Sequence, residues 1–270
     1  VILDALEETA PGALRYGTTF KGLVRDSGRV VGVDVESGGQ QSRVLARLVV
    51  GADGALSQVR EALGIQTSLY RYPEGYLIGL LDNQDGLTES RYFVGHKTIL
   101  GVFPATSGKV YLFYMIPADS MPQIQARGLE PLRQAWTAIE PSLARTFAGL
   151  HAWTQTAYMP TGRVKTATWV ADGAVLLGDA AHAMNPHASQ GRMQAMVDAM
   201  ALADLIPGWV ERNTCSAQAL SVYEQRRRPY VEMLQGLADE QVVFWNTGNP
   251  VLAFLRDRVF RTLDRNARLR

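Results

Sequence analysis

The apolar positions of residues 1–9 recur at helical spacing and stop at Pro11-Gly12, a helix-ending pair. Three stretches of strand character follow: Leu14–Leu23, Val30–Glu36 and Arg43–Val50. Asp26-Ser27-Gly28 and Ser37-Gly38-Gly39 supply the turns, so the pattern predicts a small antiparallel excursion. The run through Val50 ends at Ala52-Asp53-Gly54, and Ala55–Leu63 is patterned as a helix up to Gly64. From 65 to 118 short aromatic-rich strands are predicted at Tyr76–Leu81, Arg91–Val94, Ile99–Phe103 and Val110–Ile116. A helix is expected over Leu129–Leu150 and a strand over Thr154–Met159. Ala174–Leu177 is a further apolar strand that feeds a loop of small residues, and the chain from about 192 to 246 is mostly helical, interrupted at Pro207-Gly208 and Asn213.

This order predicts a mixed α/β fold in which a sheet-rich segment interrupts a nucleotide-domain-like one. We expect residues 1–64 and 160–270 to form one nucleotide-domain-like body with C-terminal helices, and 65–159 to form an inserted antiparallel-sheet domain.

Composition narrows the function classes. The chain has 270 residues, is 47% hydrophobic and 20% charged, and carries a net charge of +1. That balance gives no electrostatic reason for nucleic acid as a partner. No run of 18 apolar residues predicts a transmembrane helix. The single Cys215 excludes an intrachain disulfide and a cysteine-cluster metal site, which fits a cytoplasmic location. Neither a Gly-x-Ser-x-Gly elbow nor a Gly-Lys-Thr/Ser phosphate loop is present.

Two strand–loop–helix junctions carry the candidate chemistry. In VVGADGALSQVREALG, residues 49–64, Asp53 falls near a helix start, where a negative charge is favoured. In GDAAHAMNPHASQGRMQAM, residues 178–196, Asp179 falls at the carboxyl end of a strand, where open α/β sheets bind ligands. A carboxylate there accepts hydrogen bonds from sugar-alcohol hydroxyls. Asn185-Pro186 fixes an extended turn, and Ser189-Gln190-Gly191-Arg192 leads into a helix whose first N–H groups are free to meet a partly negative oxygen. Met193, Met196, Val197, Met200, Leu202 and Leu205 repeat at helical spacing and read as core. His182 and His187, five apart across a proline, do not form a metal pair, and His96 and His151 are isolated. Arg226-Arg227-Arg228 on a helical segment reads as a solvated face.

Taken together, Gly51-Ala-Asp53-Gly54-x-x-Ser57-x-Val-Arg60 and Gly178-Asp179-Ala-Ala-His182-x-x-x-Pro186-x-x-x-Gln190-Gly191 resemble the FAD-dependent monooxygenases of the p-hydroxybenzoate hydroxylase type. Tyr223-Glu-x-x-Arg-Arg228-Pro229 resembles the helix after the second motif in that family. The resemblance implies that 1–64 and 160–270 are an FAD/NAD(P)-binding Rossmann-like domain with 65–159 as its inserted substrate domain, and that Asp179, following Gly178, binds the ribityl chain of FAD. It implies that Pro186, Ser189, Gln190, Gly191 and Arg192 line the flavin ring, and that Asp53 and Arg60 serve the pyrophosphate and NAD(P)H region. The implied reaction takes NAD(P)H as co-substrate and O₂ to hydroxylate an aromatic or other electron-rich small molecule. Candidate pocket aromatics are Tyr76, Tyr92, Phe103, Tyr111, Phe113 and Tyr114; strand alternation is expected to turn about half of them away. Ser189 stands where the family often has Gly, and Met193 where it often has Asn. The family's N-terminal Gly-x-Gly-x-x-Gly unit is absent from these residues, and VILDALEE reads as a helix interior, so an upstream segment is expected. The alternative readings are a non-hydroxylating flavin oxidoreductase and a non-enzymatic remnant.

Overall fold

The computed structural model describes residues 2–95, 97–245 and 247–266; the isolated His96 lies outside them. In chain order the elements are helix α1 (Ile2–Thr9), strands β1 (Thr18–Asp26), β2 (Arg29–Ser37), β3 (Gln40–Leu45) and β4 (Val49–Gly51), then helix α2 (Gln58–Ala62). Strands β5 (Thr67–Asp82), β6 (Arg91–Val94), β7 (Ile99–Ala105) and β8 (Lys109–Pro117) come next, followed by helices α3 (Met121–Arg127), α4 (Glu130–Ile139) and α5 (Ala144–Ala148). Strands β9 (Thr156–Thr166), β10 (Val170–Ala171) and β11 (Ala174–Leu176) precede helices α6 (Asp179–His182), α7 (Gly191–Glu211), α8 (Ala217–Trp245) and α9 (Pro250–Arg265).

The chain divides into two compact units. The first comprises Val1–Leu69, Val164–Met184 and Ser189–Leu234; the second comprises Tyr70–Arg163, Asn185–Ala188 and Gln235–Arg270. This division departs from the sequence expectation at its end, because the last part of α8 and all of α9 group with the sheet-rich unit. Arg256 and Asp239 tie them there: the Arg256 guanidinium donates to the carbonyls of Gly95 and Trp245 at 3.1 and 2.8 Å, and Asp239 accepts from Tyr72 and Arg163. Trp245 in turn meets Tyr92 edge to face.

In the first unit β1-β2-β3 form an antiparallel meander. Its hairpins close through Ser27-Gly28 (φ 50° and 87°) and Gly38-Gly39 (φ 57° and 79°). Two successive left-handed residues match the twist of the flanking strands, which is why DSG and SGG stand there. The predicted strand Arg43–Val50 is two strands in different sheets, with the chain leaving one at Leu45 and entering the other at Val49. There β4 pairs in parallel with β11, in the order β10-β11-β4. Trp169, Val175, Leu176, Leu202, Trp209 and Tyr223 form the core over this sheet. Leu202 and Trp209 also explain why α7 runs on through Pro207: burial on both sides of the proline holds the helix until Asn213 turns to φ 52°.

The second unit is a five-stranded sheet, β6-β7-β8-β5-β9. One face packs Leu77, Leu81, Leu100 and Leu112 against Trp136 of α4 and Phe147 of α5. The helix expected over Leu129–Leu150 is broken at Pro141, whose ring cannot continue α4. The register of β5, β8 and β7 places Ile78 opposite Phe113, Tyr76 opposite Met115, and Phe103 opposite Tyr111. Tyr92 sits opposite Gly101, which itself faces Phe113. Tyr76, Tyr92, Phe103, Tyr111 and Phe113 therefore share the second face, while Tyr114 packs against Trp136 on the first.

Candidate functional site

The register of the parallel pair places the two motifs side by side. Gly51 pairs with Leu176, and the Leu177 N–H donates to the Gly51 carbonyl at 3.0 Å. Asp53 and Asp179 thus follow the carboxyl ends of adjacent parallel strands, the edge at which such sheets take ligands.

The first motif is engaged within its own unit. Asp53 accepts from the Ser57 hydroxyl at 2.5 Å and from the Val59 N–H at 3.0 Å. Ser57 caps α2 by accepting from the Arg60 N–H at 2.9 Å. The Arg60 guanidinium is buried and donates to the carbonyls of Ala55 and Ala180 at 2.8 and 2.7 Å. Burial lowers its pKa, with Asp53 and Glu61 offsetting part of the effect. Arg60 is therefore a strut between the motifs, holding α2 to the turn that carries Asp179.

In the second motif Gly178 adopts φ 57°, ψ −142°, and a Cβ there would lie 2.9 Å from the Ala195 side chain. Only glycine fits this close crossing. Asp179 comes next, reached by solvent. No described residue donates a hydrogen bond to its carboxylate. Surrounding protein still desolvates it enough to raise its pKa, an effect the nearby His182 partly opposes. A Cβ on Gly191 would stand 3.8 Å from Asp179 Oδ1, so the carboxylate borders the first turn of α7. Gln190 provides no side-chain cap to that helix, which leaves N–H donors at its start. Arg192 is exposed, and Ser189 sits at φ 52°.

Beneath the turn lies a network that sequence reasoning missed. Asp198 of α7 is fully buried and accepts from the Gly178 N–H at 3.0 Å and from Arg227 Nε at 2.8 Å. His182 Nε2 stands 2.6 Å from Asp198 Oδ2, the oxygen that takes the Gly178 N–H, while Arg227 is on Oδ1 and also donates to Gln194 Oε1 at 2.7 Å. Burial would raise the Asp198 pKa, but His182, Arg227 and the Gly178 N–H outweigh it and hold it low. This network turns α7 over relative to expectation. Gln194 and Asp198 face inward, and Met193, Met196 and Met200 are 55%, 44% and 69% exposed. The methionine stripe is thus not core. Nor is the arginine run a solvated face: Arg227 is buried on Asp198, Arg228 pairs with Glu224 and lies over the Trp169 ring, and Arg226 alone is exposed.

The family model for the FAD binding domain matches residues 1–236. The chain belongs to the FAD-binding domain family. A 6-methylpretetramide 4-monooxygenase of Streptomyces rimosus is 28% identical over 218 residues, covering 80% of this chain and 52% of that protein. A kynurenine 3-monooxygenase of Salinispora arenicola is 29% identical over 270 residues, covering 94% and 56%. The chain thus spans about half the length of the curated relatives it matches. Among solved structures, HpxO of Klebsiella pneumoniae with FAD and uric acid has the same fold at TM-score 0.75 and 22% identity, covering 98% of this chain and 66% of that one.

The FAD-binding family's cofactor suits the first unit chemically. A carboxylate without a protein donor and a neighbouring uncapped helix start provide an acceptor for hydroxyls and donors for ring oxygens. Pro186 and His187 belong instead to the second unit. There the Asn185 Oδ1 accepts from the His187 N–H at 3.0 Å and lies 2.6 Å from its Nδ1, which makes Nδ1 the protonated nitrogen. The Tyr76 hydroxyl lies 3.0 Å from Nδ1 and 3.1 Å from Nε2, and with the Nδ1 proton on Asn185 it is Nε2 that is free to accept. Burial lowers the His187 pKa from 6.5 to about 4, so the ring is neutral. Burial also raises the Tyr76 pKa. Among the described residues no helix is long and apolar enough to cross a membrane.

Proposed function

We propose that the chain serves an FAD-dependent, NAD(P)H-consuming monooxygenase that hydroxylates an aromatic or other electron-rich small molecule. The observation that carries the reading is the open Asp179 carboxylate at the carboxyl end of the parallel pair, beside the uncapped start of α7. Asp179 would accept hydrogen bonds from the ribityl hydroxyls. Gly191 and Arg192 would present N–H groups to the flavin's pyrimidine edge, with Ser189 and Gln190 setting their approach. Asp53 and Arg60 would support the pyrophosphate and nicotinamide region through the turn they brace. Bound FAD supplies the redox and oxygen chemistry once NAD(P)H has reduced it.

The second unit would take the substrate on its aromatic face. Tyr76 and His187 are the polar pair there, next to Phe113 and Tyr92. With its proton directed to His187 Nε2, Tyr76 Oη keeps lone pairs to accept from a substrate hydroxyl or N–H. Relatives named for kynurenine and urate fit an aromatic substrate class. Cytoplasmic residence is part of the same reading.

The test is FAD titration of the purified chain, then NAD(P)H oxidation with a panel of phenols and anilines under ¹⁸O₂. One labelled oxygen in the product is the expected result. NAD(P)H oxidation with a changed but unlabelled product would favour the oxidoreductase alternative, and failure to take up FAD would favour the non-enzymatic one.

A further inference from the structure

The second unit holds a cleft of about 450 Å³ lined by Tyr70, Tyr72, Glu74, Asp239, Val243 and Thr247. Its two carboxylates differ in kind. Asp239 is already neutralised: it accepts from the Tyr72 hydroxyl and is paired with Arg163. Glu74 is 5% exposed, and its Oε1 is buried without a hydrogen-bond partner. Burial raises its pKa, relieved only by its own backbone N–H. An unsatisfied buried carboxyl is costly, and natural sites rarely keep one without a use. Tyr70 already carries one cation on its ring, with Arg163 5.5 Å from the centroid.

We propose that this cleft is a binding subsite for a protonated amine, with the Glu74 carboxylate as counter-ion and the Tyr70 and Tyr72 rings as walls. The charges select the sign. With Asp239 and Arg163 cancelling, Glu74 is the acidic group of the cleft without a charged partner, and a bound ammonium would favour its ionised form where a carboxylate would not. Aromatic walls favour the same cation through their ring faces. Because Glu74 and Tyr76 stand two apart on β5, they share a face of the strand. The proposal deepens the reading of this unit as the substrate unit and rests on it, but its test reads binding and not turnover.

The experiment is calorimetric titration of the purified chain with benzylamine, and with benzyl alcohol and benzoate as size-matched probes. Benzylamine is expected to bind more tightly than benzyl alcohol, and benzoate not to bind. Glu74→Gln should weaken benzylamine by about tenfold or more, the loss expected for a charge-assisted hydrogen bond, and leave benzyl alcohol unchanged. Equal binding of the three probes to the unaltered chain would overturn the proposal without recourse to any variant. So would full benzylamine affinity in a Glu74→Gln chain of native circular dichroism. Benzylamine binding alongside failed hydroxylation would overturn only the functional reading.

Discussion

Asp198 Oδ2 lies 2.6 Å from His182 Nε2, and the same oxygen accepts the Gly178 N–H that opens the Asp179 turn. One buried carboxylate on α7 thus fixes both ends of α6. Removing its charge leaves Arg227 buried and without its counter-ion. Asp198→Asn should cost about 3 kcal/mol of unfolding free energy, the lower end of the range for breaking a buried pair. Urea denaturation checks this through a lowered midpoint at unchanged slope. A loss below about 1 kcal/mol would mean that the network does not hold the turn.

The Asp179 carboxylate makes no hydrogen bond that folding depends on. Asp179→Ala should therefore leave the denaturation midpoint unchanged or slightly raised. FAD affinity should fall by about ten- to a hundredfold, the range for hydrogen bonds to a charged group. Fluorescence titration with FAD measures it, and unchanged affinity would remove Asp179 from the cofactor site.

The two predictions separate what sequence made legible from what it did not. The hairpin turns were readable because left-handed backbone at Ser27-Gly28 and Gly38-Gly39 demands those residue types. The two glycine-aspartate junctions were readable because a strand that ends in Gly-Asp leaves a local mark. Side-chain partners across α7 were not. Spacing alone makes Met193, Met196 and Met200 look like a core stripe, and nothing local reveals that Asp198 is captured by residues 20 positions back and 29 ahead. Arg227 was misread for the same reason, since its burial depends on that distant acceptor. The Tyr76–His187 pair joins positions 111 apart, beyond any periodicity signal. Strand alternation predicted that about half of the six aromatics would turn away, but the register of β6, β7, β8 and β5 turns only Tyr114.

His187 gives the fold a pH dependence of definite sign. Its folded pKa is about 4 against an ordinary 6.5, because burial disfavours the charged ring. Between these values the unfolded chain binds a proton that the folded chain does not. Its contribution to stability is complete above about pH 6.5 and is lost as the pH falls toward 4. By pH 5 the loss from this residue is about 2 kcal/mol. Denaturation midpoints at pH 7 and pH 5 for the native chain and for His187→Asn measure it. Parallel pH profiles in the two proteins would assign the acid sensitivity elsewhere.

Ser189 occupies φ 52°, in the left-handed region that glycine adopts without penalty. It is exposed, so the substitution to glycine removes little packing. Left-handed backbone costs a residue with a Cβ about 1–2 kcal/mol. Glycine's extra freedom in the unfolded chain returns about 0.4–1 kcal/mol of that. Ser189→Gly should therefore stabilise the chain by about 0.5–1 kcal/mol, the difference between these terms. Because residue 189 lies two positions before the first residue of α7, relief of strain there should also tighten FAD binding if the helix N–H groups meet the flavin. Thermal denaturation with and without FAD separates the two effects. A lowered midpoint in the absence of FAD would mean that the serine hydroxyl contributes more to the loop than its backbone geometry costs.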